Sequence, residues 1–253
     1  MKNLILKFLQ KKNIFISRSN WKKFYFDRLG KEKLILSFNS ILNRFMENKL
    51  PVIFDVGANQ GQTIERFNKI FDSCKFHCFE PNNLAFEKLK KFENHNIILN
   101  NMALGEKAEE KKFFNYPKTS SSSFYSINSS SKIYKINKEY QTTMVKVGTI
   151  DQYCRNNKIS KIDILKIDTQ GYEKFVLLGS KEFISNRKIT FIETEIQLGN
   201  QYNKEATSFY DIEKIIGSDY RLIALDNHGD TVGNTDFQLN ALYVSRDFNL
   251  INK

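Results

Sequence analysis

From residue 51 onward the chain alternates short apolar runs with segments of helical periodicity. Val52–Val56 is a five-residue apolar run, as expected of a strand covered on both faces. Gly57 to Gly61 form a turn. Residues 63–71 then repeat apolar side chains at helical spacing, with Ile64, Phe67, Ile70 and Phe71 on one face. Residues 76–80 read as a second strand stopped by Pro81. Residues 84–92 read as a helix with Leu84, Leu89 and Phe92 facing inward, and residues 96–100 as a third strand. Between 105 and 150 the pattern breaks into charged segments, short strand candidates and serine clusters at 120–123 and 129–131, which reads as a mobile loop. Alternation resumes with a strand at 162–168, a helix from Tyr172 to about Leu178 stopped by Gly179, a strand at 189–195 and a helix at 209–216. Two last strands, 221–225 and 240–245, flank a polar loop holding His228 and Gly229. No helix separates them, so they pair antiparallel. The pattern predicts an α/β fold with a mostly parallel seven-stranded sheet and a C-terminal antiparallel hairpin.

Charge adds an N-terminal extension to this picture. Residues 1–50 carry twelve Lys/Arg against three Asp/Glu, a net +9 of the chain's +11. They are expected to form a basic helical extension, with the main domain spanning 51–253. This extension is either a solvated helical cap or a patch for an anionic partner such as a lipid headgroup or a phosphate-bearing substrate, so peripheral membrane contact is one expectation. No nucleic-acid recognition motif is present, and no nucleic-acid partner is expected. The first nine residues resemble a weak signal peptide. However, Lys7 interrupts the apolar run, and Lys11 and Lys12 stand where a cleavage site belongs, so a cytoplasmic protein is expected. No run is long and apolar enough to span a bilayer. Cys74, Cys78 and Cys154 make no disulfide framework and no zinc pattern, and no metal is expected.

The sharpest local signal is Asp55-Val56-Gly57-Ala58-Asn59-Gln60-Gly61, at the end of the first of these strands. Ligands of open α/β sheets bind beyond the carboxyl ends of the strands. Gly57 and Gly61 permit unusual backbone angles and close ligand approach, and the next helix points its first N–H groups at the same place. Glu80 ends the second strand, 25 residues after Asp55, near the spacing of an acidic ribose ligand. A carboxylate there accepts hydrogen bonds from both ribose hydroxyls. The turn lacks the third-position glycine of a dinucleotide fingerprint and has no Walker lysine. Asp55 would repel a pyrophosphate and attract an ammonium group, directly or through water. Those features favour S-adenosylmethionine over NAD, and the late antiparallel hairpin is the methyltransferase form of the Rossmann plan.

Asp55 to Gly61, Phe79-Glu80-Pro81, Ala103-Leu104-Gly105, Thr149-Ile150-Asp151 and Leu165-Lys166-Ile167-Asp168-Thr169-Gln170-Gly171-Tyr172-Glu173 occur in this order. The set resembles the FkbM family of methyltransferases over roughly residues 51–246. The resemblance implies S-adenosylmethionine as cofactor and methylation of a hydroxyl oxygen, since many members act on sugars or natural products. It implies a cofactor site of Asp55, Gly57, Ala58, Asn59, Gly61, Glu80 and Pro81, with Asn101, Met102 and Ala103 beside the adenine. It also places Ser122 and Ser123 in a loop near the cofactor.

Methyl transfer is an in-line displacement, so alignment of acceptor, methyl and sulfur is most of the task, aided by a base for a hydroxyl acceptor. Asp168, Glu193 and Glu195 project from strand ends and are the candidates for that role. Asp168 also fits the methionine end of the cofactor, or an N-cap. Glu193 and Glu195 share a strand face. Gln170, Glu173 and His228 are candidate substrate contacts, Glu173 equally a helix-end charge and His228 a base of near-neutral pKa. The expected acceptor is a small molecule or glycan. The alternatives are transfer to a nitrogen or phosphate-containing acceptor, or a non-catalytic scaffold that docks through residues 1–50. A dehydrogenase is disfavoured by the missing phosphate loop.

Overall fold

The computed structural model describes residues 15–17, 37–135, 137–199, 201–203, 206–227 and 238–249. Its main sheet contains β1 (Phe15–Ser17), β2 (Val52–Val56), β3 (Lys75–Phe79), β4 (Ile97–Asn100), β8 (Ile162–Ile167), β9 (Ile189–Gln197), β10 (Tyr220–Asn227) and β11 (Gln238–Ser245). The order is β1-β10-β11-β9-β8-β2-β3-β4. Only β11 runs against its neighbours, antiparallel to both β10 and β9. The expected seven strands are all present, and the chain has the Rossmann-like methyltransferase architecture.

The eighth strand departs from the expectation. The extension was expected to be helical, yet β1 pairs in parallel with the edge strand β10, Phe15 opposite Ala224. A run of Phe-Ile-Ser has the β-branched and aromatic content that suits a sheet edge. Among the described residues of the extension, α1 (Phe38–Phe45) begins at Ser37, whose hydroxyl accepts from the Ser40 N–H at 3.2 Å. Its Phe38, Ile41 and Leu42 are buried in the domain's own core.

Among the described residues six further α-helices follow: α2 (Gln62–Phe67), α3 (Asn83–Leu89), α4 (Ile150–Asn156), α5 (Glu173–Leu178), α6 (Lys181–Ser185) and α7 (Phe209–Ile216). Strand alternation divides their packing. On β2, Ile53 joins Ile64, Phe67 and Leu42 on one face, while Phe54 and Val56 join Ile150, Val176 and Ile212 on the other. Leu84, expected to face inward, is 67% exposed, and Ala85 takes its place in the core. The helix starts one residue earlier than expected because Asn82 caps it, accepting from the Ala85 N–H at 3.0 Å, and that start turns Leu84 outward.

The segment expected to be a mobile loop is largely structured. β5 (Ala103–Leu104), β6 (Glu109–Asn115) and β7 (Gln141–Gly148) form a second, three-stranded sheet. Beneath it Phe113, Phe124, Tyr125, Val147 and Tyr172 make a third apolar cluster.

Candidate active site

Beyond the carboxyl ends of β2, β3 and β8 lies a pocket roofed by residues 119–124. Its floor is the turn after β2. Gly57 has φ +85°, and a Cβ there would lie 1.9 Å from the Asp168 carbonyl oxygen, so no other residue fits. The Gly57 and Ala58 N–H groups both donate to the Phe79 carbonyl, at 2.9 and 3.1 Å, which ties the turn to β3.

Glu80 sits just past β3. Its Oε2 accepts from the Asn59 N–H at 2.8 Å and its Oε1 from the Asn82 N–H at 2.7 Å. Burial pushes its carboxyl up to about 7, against the pull of those two donors. The Asn101 side chain donates to the Glu80 carbonyl at 3.0 Å.

Asp168 follows β8 at the pocket's opposite side, its side chain 35% exposed. Gln170 Nε2 donates to its Oδ1 at 2.9 Å, and Lys166 Nζ lies 3.3 Å from its Oδ2. Asp168 is not an N-cap: α5 starts at Glu173, behind Tyr172. Gln170 adopts φ +56°. Its amide also donates to Glu195 Oε2 at 3.1 Å and accepts from the Tyr202 hydroxyl at 2.8 Å.

The pocket brings together Gly57, Asn59, Glu80, Pro81, Ala103, Asp168 and Gln170 of the expected residues. Others are placed differently. Asp55 is fully buried under the turn with Lys166 Nζ at 3.6 Å from Oδ1, so its charge faces a lysine of the chain rather than the pocket. Burial raises its carboxyl, opposed by Lys166. Ala58 belongs to the core, and Gly61 packs against Phe92. Asn101 and Met102 do not line the pocket, Met102 packing toward Gly148.

Glu193 and Glu195, expected at the acceptor, are both buried outside the pocket lining. Glu193 is held by Arg66 through two hydrogen bonds of 2.7 and 2.6 Å. Glu195 accepts from Gln170 and Gln197, and burial, reinforced by Asp168 and Glu173, raises its carboxyl well above the usual range. Glu173, an expected substrate contact, is also fully buried. Its Oε1 accepts from the Thr169 N–H at 2.9 Å, the Thr169 hydroxyl at 3.1 Å and the Gly171 N–H at 3.0 Å, so it braces the loop that presents Asp168. His228 lies outside the described residues.

Sequence reasoning missed Thr119, Ser120, Phe113 and Phe124, which line the roof. The serine tract read as low complexity, yet Ser121, Ser122 and Ser123 are each hydrogen-bonded. Thr119 donates to Asn59 Oδ1 at 2.8 Å, Asn82 donates to Ser122 Oγ at 3.1 Å, and Ser123 donates to the Gln170 carbonyl at 2.8 Å.

A glycine turn, a buried carboxylate one strand along, and a mostly parallel sheet with one late reversed strand define a methyltransferase of the Rossmann-like class. The Methyltransferase FkbM domain model matches residues 55–228, and the chain belongs to that family. It is 24% identical over 196 residues to the 2-O-methyltransferase NoeI of Sinorhizobium fredii, covering 73% of this chain and 79% of that protein. A methyltransferase FkbM from Methylobacillus flagellatus KT superposes with a TM-score of 0.48 at 16% identity, covering 76% of this chain. The chain spans only 44% of that protein's length. An rRNA methylase from Streptococcus thermophilus gives a TM-score of 0.46 at 8% identity, over 82% of this chain and 93% of its own. The methyl donor of this family is S-adenosylmethionine, and the pocket fits it: the turn leaves Gly57 without a side chain, and Glu80 offers carboxylate oxygens one strand away. Among the described residues, no helix is long and apolar enough to cross a membrane.

Proposed function

We propose that the chain methylates a hydroxyl oxygen of a sugar, a polysaccharide precursor or a related natural product. The observation that carries this reading is Asp168, the part-exposed carboxylate of the pocket, opposite the buried Glu80. S-adenosylmethionine supplies an electrophilic methyl group on a sulfonium. Glu80 accepts the ribose hydroxyls, and the turn at Gly57 to Gly61 gives the methionine portion room. Ala103, Leu104, Phe113 and Phe124 give the adenine an apolar bed. Asp168 would orient an acceptor hydroxyl and take its proton as the oxygen–methyl bond forms and the methyl–sulfur bond breaks, the neutral thioether leaving. Gln170 and Lys166 hold the carboxylate at the pocket edge. The name of the Sinorhizobium relative, a 2-O-methyltransferase, supports an oxygen acceptor.

The test is methyl transfer from labelled S-adenosylmethionine to a panel of hydroxylated sugars, with the product mapped by fragmentation. Asp168→Asn should cut turnover by about 10²-fold or more, the usual share of general-base catalysis. Label on nitrogen or phosphate, or full turnover by the variant, would overturn the reading.

A further inference from the structure

We propose that Lys166 is the positioning residue of the acceptor site: it fixes the Asp168 carboxylate in its ionised form at the pocket edge and couples it to Asp55 beneath the glycine turn. This rests on the reading of Asp168 as the acceptor-facing group.

The argument starts from strand register. Asp55 on β2 pairs with Lys166 on β8, and Lys166 pairs with Glu193 on β9. Side chains alternate across a sheet, and directly paired residues share a face. The three therefore form one row of alternating charge, one turn of pleat below the pocket. Arg66 from α2 closes the row by binding Glu193. With Glu193 committed to Arg66, Lys166 is left to the two aspartates.

Its Nζ lies 3.6 Å from Asp55 Oδ1 and 3.3 Å from Asp168 Oδ2, with only 14% of the side chain exposed. Both oxygens of Asp55 are buried, and Lys166 is the largest influence favouring its charge, ahead of Thr63 and Arg66. On Asp168, Lys166 holds one oxygen while Gln170 holds the other, which fixes the plane of the carboxylate. A carboxylate gripped at both oxygens has lost its rotation about the Cβ–Cγ bond.

The charged groups facing Lys166 are Asp168, Asp55 and Glu193, with Arg66 opposing. Burial works to remove its proton, but the three carboxylates outweigh burial and hold the ammonium above the ordinary lysine range. The cation therefore stays charged wherever a carboxylate can be ionised. A cation within about 4–6 Å favours the ionised form of a carboxylate, so at Asp168 Lys166 counters the like charges of Asp55, Glu173 and Glu195 that face it.

The experiment follows the Asp168 carboxyl by ¹³C NMR in protein labelled at aspartate side-chain carboxyls, its signal assigned by its loss in Asp168→Asn. In Lys166→Gln the midpoint should rise by about one pH unit or more. Lys166→Arg, which keeps the charge, should restore it. If Lys166→Gln alone fails to fold, Asp55→Asn/Lys166→Gln removes the pair as a unit and should raise the midpoint in the same direction, because the lost cation is in direct contact with Asp168. A midpoint unmoved by the neutral variants would overturn the role of Lys166 while leaving the acceptor reading standing. A raised midpoint together with full sugar methylation by Asp168→Asn would instead remove Asp168 from the acceptor site, and the positioning role with it.

Discussion

Glu80 shows at the scale of one residue how the site trades stability for binding. In an unfolded chain its carboxyl ionises near 4.5, whereas burial in the pocket raises that to about 7. A raised carboxyl favours the folded state fully below the lower value and loses that favour as pH climbs through the higher one. The shift corresponds to roughly 3 kcal/mol of stability lost by the cofactor-free protein across that window. Glu80→Gln cannot ionise, so its unfolding free energy should lack this decline. Urea denaturation of both proteins at pH 5 and pH 7.5 makes the comparison. On the proposed ribose role of Glu80, cofactor affinity should run the opposite way: binding should tighten as pH rises through about 7 in the parent chain and stay flat in Glu80→Gln. Parallel pH profiles for the two proteins would take Glu80 out of ribose binding. Hydroxyl donors of a bound ligand would add to the Asn59 and Asn82 N–H groups in offsetting the cost of an ionised Glu80.

At the scale of elements, the loop between β8 and α5 is the least regular and the most constrained part of the site. Gln170 and Gly171 both have positive φ, and Glu173 holds the loop in that shape through one oxygen that accepts three hydrogen bonds. Glu173→Ala would orphan those donors at about 1–3 kcal/mol for each buried one. It should lower the melting temperature and also reduce turnover, because Asp168 and Gln170 ride on the same loop. Glu173→Gln keeps an acceptor and should recover most of both. Melting and turnover that fail to fall together in Glu173→Ala would separate the loop's shape from Asp168. The motif carrying these residues was legible in the sequence, but the role of Glu173 was not, because a charged residue at a helix start reads equally as a substrate contact or as a helix-end charge. Strands β2, β3, β8 and β9 were legible because both their faces are largely buried, and the edge strand β4 because Ile97-Ile98-Leu99 is a short apolar run although Ile98 is exposed. Strands β6 and β7 escaped because their outer faces are wet: Glu-Glu-Lys-Lys opens one and Gln-Thr-Thr the other. The roof escaped for a related reason. A run of serines gives no periodicity, and its order comes from Asn59, Asn82 and Gln170, partners far away in sequence.

Across the whole molecule, the charge row and the pocket occupy one end of the sheet while the two apolar cores lie along its faces, which lets stability and chemistry be altered separately. Helix α1 tests this division. Its Leu42 is fully buried, in the same cluster as Ile53, Phe76, Ile164 and Leu242, so a segment preceding the first glycine turn completes one face of the sheet. Truncating a buried leucine to alanine costs about 2–5 kcal/mol, depending on how far the cavity collapses. Leu42→Ala should therefore shift the denaturation midpoint strongly downward. Turnover per folded molecule, measured well below the new melting point, should stay at the parent value, since Leu42 lies in the apolar cluster and the pocket is lined elsewhere. Deleting residues 1–50 removes the whole helix and should yield an unfolded or aggregating chain rather than an active domain relieved of a docking segment. If instead the midpoint of Leu42→Ala is unchanged and the truncated chain transfers methyl groups normally, the face is closed without α1, and the functional unit begins at Pro51.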